Sequence, residues 1–134
     1  MNSSIWGDHL WKSMFFIAYG YQFNKTARSI KDPQYVSFFK SIGNVMPCKA
    51  CRESYNDFFT LLDIDKYIHA KHGLLKFVYN LKDMVNRKLI SQKITEFQTI
   101  GTKKNLKDLE NFINKKTSPP FEVVLAYYSN FIAK

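Results

Sequence analysis

The chain has 134 residues, with 20 Lys and Arg against 11 Asp and Glu, for a formal net charge of +9. That length fits one domain, and a content of 46% hydrophobic and 16% aromatic residues excludes a chain too polar to build a core. Five Gly, four Pro and two Cys favour helices over many short strands and exclude a multi-disulfide secreted scaffold. The least polar early run, Met14 to Tyr21, falls short of the roughly 20 apolar residues of a spanning helix. It also lacks the basic start and cleavage site of a signal peptide. The expectation is a soluble cytoplasmic protein, where a lasting structural disulfide is unusual. The charge excess is mostly lysine, a point charge suited to phosphate rather than to base readout. It points to a phosphate-bearing partner or cofactor, or to a solvated lysine-rich surface.

Ser3 and Ser4 can cap a first helix, along which Trp6, Leu10, Trp11, Met14, Phe15, Ile17, Ala18 and Tyr21 recur at three- and four-residue spacing. Asn24 to Ser29 read as a loop. Asp32-Pro33 opens a second helix, with Tyr35, Phe38, Phe39 and Ile42 as its buried side and Gly43-Asn44 as its end. A third helix runs from Cys48 to about Phe59, placing Cys48, Cys51 and Tyr55 on one face. After a turn at Asp63 to Asp65 and an interruption at Gly73, a fourth helix carries Leu74, Phe77, Val78, Leu81, Val85 and Leu89. Lys82 and Asn86 form a polar stripe beside them. Leu106, Leu109, Phe112 and Ile113 predict a short fifth helix. Ser118-Pro119-Pro120 opens a last one carrying Val124, Leu125, Tyr128 and Phe131. No stretch alternates with period two, so the predicted fold is all-α, a small bundle.

Cys48-Lys49-Ala50-Cys51 is the most informative string. Two cysteines two residues apart at a helix start can close a small disulfide ring. The helix N-terminus, Lys49 and Arg52 are expected to favour the first thiolate. A thioredoxin-type site needs a strand before this motif, and none is visible. A zinc-stabilised binding module could join Cys48 and Cys51 to His69 and His72. The 17 residues before His69 and the two between the histidines, however, miss the usual finger spacing of about 12 and then 3–5. A redox pair serving a bound cofactor is the third possibility. No nucleic-acid module is visible, and the five lysines between Lys103 and Lys116 read as a solvated face.

Trp6-Gly7-x-x-x-Trp11, Met46-Pro47-Cys48-x-x-Cys51 and Val85-Asn86-x-x-Leu89 occur in that order, each on a predicted helix or at its start. Together, over residues 5–97, they resemble the Erv/ALR family of FAD-linked sulfhydryl oxidases, in the short form carried by large cytoplasmic DNA viruses. The resemblance implies a four-helix bundle holding FAD, usually as a homodimer. It makes residues 1–100 the oxidase domain and leaves 101–134 as a helical extension packed on that domain or on a dimer partner. It places Cys51 against the flavin and makes Cys48 the sulfur that meets the substrate thiol. Electrons then pass to FAD and on to oxygen, giving hydrogen peroxide, the cofactor carrying the oxygen chemistry. It further implies cofactor contacts from Gly7, Trp11, Tyr55, Val85, Asn86 and Lys88, and from Lys93 near the diphosphate.

Two positions depart from the family pattern. Phe15 stands where the family commonly has His, and Lys82-Asp83 stands where it has His-Asn. Phe15 can still stack, and Lys82 can keep contact through its stem or charge. Larger members carry a second, shuttle cysteine pair, whereas both cysteines here are at 48 and 51. Cys48 is therefore expected to meet a thiol-carrying protein directly, such as a small CxxC protein, in the host cytoplasm or virion.

Overall fold

The computed structural model describes residues 3–21, 32–100 and 105–132, and all of their regular structure is helical. The helices are α1 (Ser3–Tyr21), α2 (Asp32–Val45), α3 (Lys49–Leu62), α4 (Gly73–Ile100), α5 (Leu106–Lys116) and α6 (Phe121–Ile132), with a 3₁₀ turn at Ile64–Lys66. The all-α expectation holds. The predicted loop at Asn24 to Ser29 and the capping side chains of Ser3 and Ser4 lie outside the residues and side chains described. No helix among the described residues is long and apolar enough to cross a membrane.

The first half of α4 is the centre of the core. Leu74, Leu75, Phe77, Val78 and Leu81 are all buried there. Five large apolar residues within two turns cover more than one face, so α1 and α3 both pack against this helix. From α1 come Met14, Phe15, Ala18, Tyr19 and Tyr21, and from α2 Phe39 and Ile42. Phe38, predicted to be on the buried side of α2, is 39% exposed instead. Neighbouring residues on a helix point about 100° apart, so Phe39 takes the core and Phe38 meets only its ring edge, at 5.0 Å.

Two glycines hold close approaches. A Cβ on Gly43 would sit 1.9 Å from Asn56 Oδ1 and 2.8 Å from Tyr55 Cδ1, which lets α2 lie tightly on α3. Asn56 Nδ2 donates to the Gly43 carbonyl at 3.3 Å across that contact. At the start of α4, a Cβ on Gly73 would meet the Tyr67 carbonyl oxygen at 1.7 Å, so only glycine fits this turn. Helix α2 runs on to Val45 and α3 to Leu62, each slightly beyond its predicted end.

Helices α5 and α6 lie on the bundle rather than apart from it, α5 on α4 and α6 on α1 and α4. Tyr128 is buried and stacks on Phe15 with centroids 5.2 Å apart. Tyr79 Oη donates to the Pro119 carbonyl at 2.6 Å, and Lys76 Nζ lies 4.4 Å above the Phe121 ring. Phe131 meets Phe16 edge-on at 5.8 Å yet stays mostly exposed, as do Val123 and Tyr127.

Candidate active site

The chain turns from α2 into α3 through Met46-Pro47, and Cys48 is the N-cap of α3 with extended backbone angles. Its Sγ accepts the Cys51 amide at 3.3 Å, satisfying one of the free N–H groups of the first helical turn. Arg52 Nη1 donates to the Met46 carbonyl at 2.6 Å and so fixes the approach to the cap.

The two thiols have opposite electrostatics. Hydrogen bonds from the Cys51 side chain and backbone hold the Cys48 pKa below the ordinary thiol value. Burial, followed by hydrogen bonding to Cys48, pushes Cys51 up to about 11. In the reduced pair the negative charge therefore belongs on Cys48 and the proton on Cys51. The expected help from Lys49 and Arg52 does not materialise. Lys49 is turned to solvent 3.9 Å from Glu53, and the guanidinium of Arg52 is spent on the Met46 carbonyl.

Cys51 lines an open cleft between α1, α3, α4 and the end of α5. Of the residues predicted for the site, Gly7, Trp11, Tyr55, Lys82, Val85, Asn86 and Lys88 line it as well. Cys48 does not, which leaves it on the outer side of the helix start. Tyr55 is 1% exposed and its Oη donates to the Phe39 carbonyl at 2.5 Å, so this ring also ties α3 to α2. Burial raises its phenol pKa. Lys88 Nζ donates to Ser54 Oγ at 2.5 Å, and Asn86 Nδ2 donates to Ser118 Oγ at 3.4 Å. Asp83 forms an ion pair with Arg87 at 2.8 Å and is absent from the cleft lining.

Two predicted contacts fall elsewhere. Phe15 lines an adjoining depression, where it stacks on Tyr128. Lys93 lies farther along α4, 5.6 Å above the Phe112 ring, among residues of α5. The zinc arrangement is not assembled. The described residues hold no group of three or more His, Cys, Asp or Glu able to bind a metal. His69 and His72 follow the far end of α3, about 20 Å of helix from the cysteines. His72 stacks on Tyr19 at 5.8 Å, and burial, then Lys71, lowers its pKa.

Sequence reasoning passed over Ser54 and Gln92, which continue the faces of Cys51 and Leu89 at helical spacing. It also passed over Trp6 as a lining residue, and over Lys115 and Lys116 of α5. Trp6 Nε1 is buried with no hydrogen-bond partner.

The cleft thus brings together a cysteine of the pair, a tryptophan of α1 and the Val-Asn pair of α4. The Erv1 / Alr family aligns with residues 8–111. The chain belongs to this family. Among its relatives is a protein of Invertebrate iridescent virus 3 named as an FAD-linked sulfhydryl oxidase, 25% identical over 91 residues. Another, named likewise, is from Acanthamoeba polyphaga mimivirus and is 29% identical over 87 residues. These alignments cover 66% and 64% of this Erv1 / Alr chain and span 59% of each relative's length. No solved structure matches it.

Proposed function

We propose that the chain is an FAD-dependent sulfhydryl oxidase that forms disulfides in a thiol-bearing protein, with Cys48 and Cys51 as the exchanging pair. The observation that carries this reading is the division of labour between the sulfurs. Cys48 sits at the open helix start with a lowered pKa, while Cys51 lines the cleft with a raised one. With the pair oxidised, a partner thiolate attacks Cys48 Sγ, the Cys48–Cys51 bond breaks, and Cys51 leaves as the thiolate. A second partner thiolate attacks the partner sulfur of the mixed disulfide and releases Cys48. The partner loses two electrons and two protons, and the pair gains the electrons. One proton settles on Cys51, where burial favours the neutral thiol, and the other goes to solvent.

Bound FAD would supply the two-electron acceptor, with oxygen as the terminal oxidant and hydrogen peroxide as the expected product. Gly7, Trp11, Tyr55, Lys82, Val85, Asn86 and Lys88 are the residues that would hold it. The donor set fits such a group. Four lysines line the cleft against one carboxylate, Asp8, which suits a diphosphate, and the buried Trp6 Nε1 is a donor in need of an acceptor. The proposal extends to a homodimer acting on a small CxxC protein in the host cytoplasm or virion.

The test is the absorption spectrum of protein purified after expression with FAD available, followed by oxygen uptake with a small dithiol. Bound flavin and dithiol-dependent uptake are expected. A colourless protein that takes up no flavin overturns the proposal.

A further inference from the structure

The cleft has two unlike ends. Met46, Ala50, Cys51, Ser54 and Tyr55 form one, and none of them lines the adjoining depression of about 780 Å³. Lys82, Asn86, Lys115 and Lys116 line both spaces, so these three lysines lie toward the end away from the sulfurs, whereas Lys88 bonds Ser54 at the cysteine end. The depression adds Lys12, and Asp8 is the one carboxylate among the residues lining either space.

Among the described residues no ion pair holds Lys82, Lys115 or Lys116. Lys82 is half-buried, and its charged form is opposed by burial and by Lys116 and Lys12, with Asp8 acting the other way. Cations at the carbonyl end of α5 are favourable in themselves, which accounts for lysines at 115 and 116. It does not account for their meeting Lys82 across the α4–α5 contact. Like charges crowded around a half-buried ammonium are relieved by an anion. Lysine, a compact point charge, suits a phosphate oxygen.

Building on the function proposed above, we propose that Lys115 and Lys116 of α5, with Lys82 of α4, form the pyrophosphate subsite of a flavin dinucleotide and select it over shorter flavins. The end of α5 then belongs to the cofactor site, although Lys115 and Lys116 lie just beyond the stretch that matches the family, residues 8–111. A dinucleotide bridges α4 and α5 and holds them together, which a flavin without phosphate does not do.

The experiment strips the full-length protein of flavin and titrates it separately with FAD and with riboflavin, following flavin fluorescence. The parent should bind FAD more tightly than riboflavin. A Lys115→Gln/Lys116→Gln double variant should lose about tenfold or more in FAD affinity and keep its riboflavin affinity, while Lys115→Arg/Lys116→Arg restores FAD binding. Hydrogen exchange should show α5 amides protected by FAD and not by riboflavin. In the unmodified protein, rising salt should weaken FAD and spare riboflavin, a measurement that needs no variant to fold. Unchanged FAD affinity in a folded Gln variant, or equal salt dependence for the two ligands, overturns the subsite. A parent that binds neither flavin overturns the function itself, a separate outcome.

Discussion

The cysteine end and the lysine end of the cleft are built by opposite means. At the cysteine end, seven residues from Cys48 to Ser54 place both sulfurs, the helix cap and the Ser54 hydroxyl within about two turns at the start of α3. The backbone alone sets their geometry, and the buried Tyr55 fixes it to the core through Phe39. At the lysine end, residues more than 30 positions apart meet only because α5 folds back onto α4. Reactive geometry rests on local structure and core packing, whereas the charged end rests on one helix contact. The first should be rigid and intolerant of substitution, the second adjustable.

The largest effect expected at the cysteine end is chemical. Cys51→Ser should lower dithiol-dependent oxygen uptake by about a thousandfold or more while flavin binding persists. Retained turnover in an oxygen-electrode assay would break the assignment of Cys51 to the cleft side of the reaction. Stability comes next. Tyr55→Ala should cost about 3–5 kcal/mol in urea unfolding, and Tyr55→Phe about 1 kcal/mol through loss of the bond to Phe39. A Tyr55→Ala cost no larger than that of an exposed site would remove the contrast between a rigid and an adjustable end. Gly43→Ala should cost about 1–3 kcal/mol, because its Cβ drives Asn56 and Tyr55 away from α2. The same melts on Lys116→Gln should show a change of under about 0.5 kcal/mol.

A pH titration sharpens the comparison within the pair. Cys48 has a lowered pKa, so its reactive thiolate form persists to lower pH than that of a free cysteine. With a pKa near 11, Cys51 is only about 0.1% thiolate at pH 8. Alkylation of the reduced, flavin-free protein should therefore label Cys48 first, with Cys51 following only as the pH rises well above 9. Cys51→Ala, which removes the hydrogen bond from the Cys51 side chain and keeps the one from its amide, should move the Cys48 labelling profile part of the way to higher pH. Peptide mass mapping reads both outcomes, and equal labelling of the two at pH 8 would contradict the asymmetry.

Legibility in the sequence follows the same division. The helices were visible because their apolar residues recur at helical spacing, and the cysteine end because CxxC is a compact string. Phe38 was misjudged because two adjacent phenylalanines cannot be ranked for burial without knowing which face the neighbouring helix covers. Lys93 entered through the resemblance, as a contact near the diphosphate. Seven residues along a helix from Asn86 is about 10 Å, enough to carry it to the α5 contact. Lys115 and Lys116 gave no local signal, since a lysine pair ending a helix reads as solvated until the partner helix is known. The absence of zinc-type assembly was likewise a matter of distance, set by the length of α3.

Cys48 is both the sulfur proposed to exchange and the group that caps α3. A thiolate is a stronger acceptor than a disulfide sulfur, so oxidation withdraws part of the tie between Sγ and the Cys51 amide and replaces it with a covalent ring. On the proposed function, each cycle would trade a noncovalent lock on the first helical turn for a covalent one. The Cys51 amide proton is a built-in gauge of that exchange, its nuclear magnetic resonance shift reporting redox state from the backbone itself.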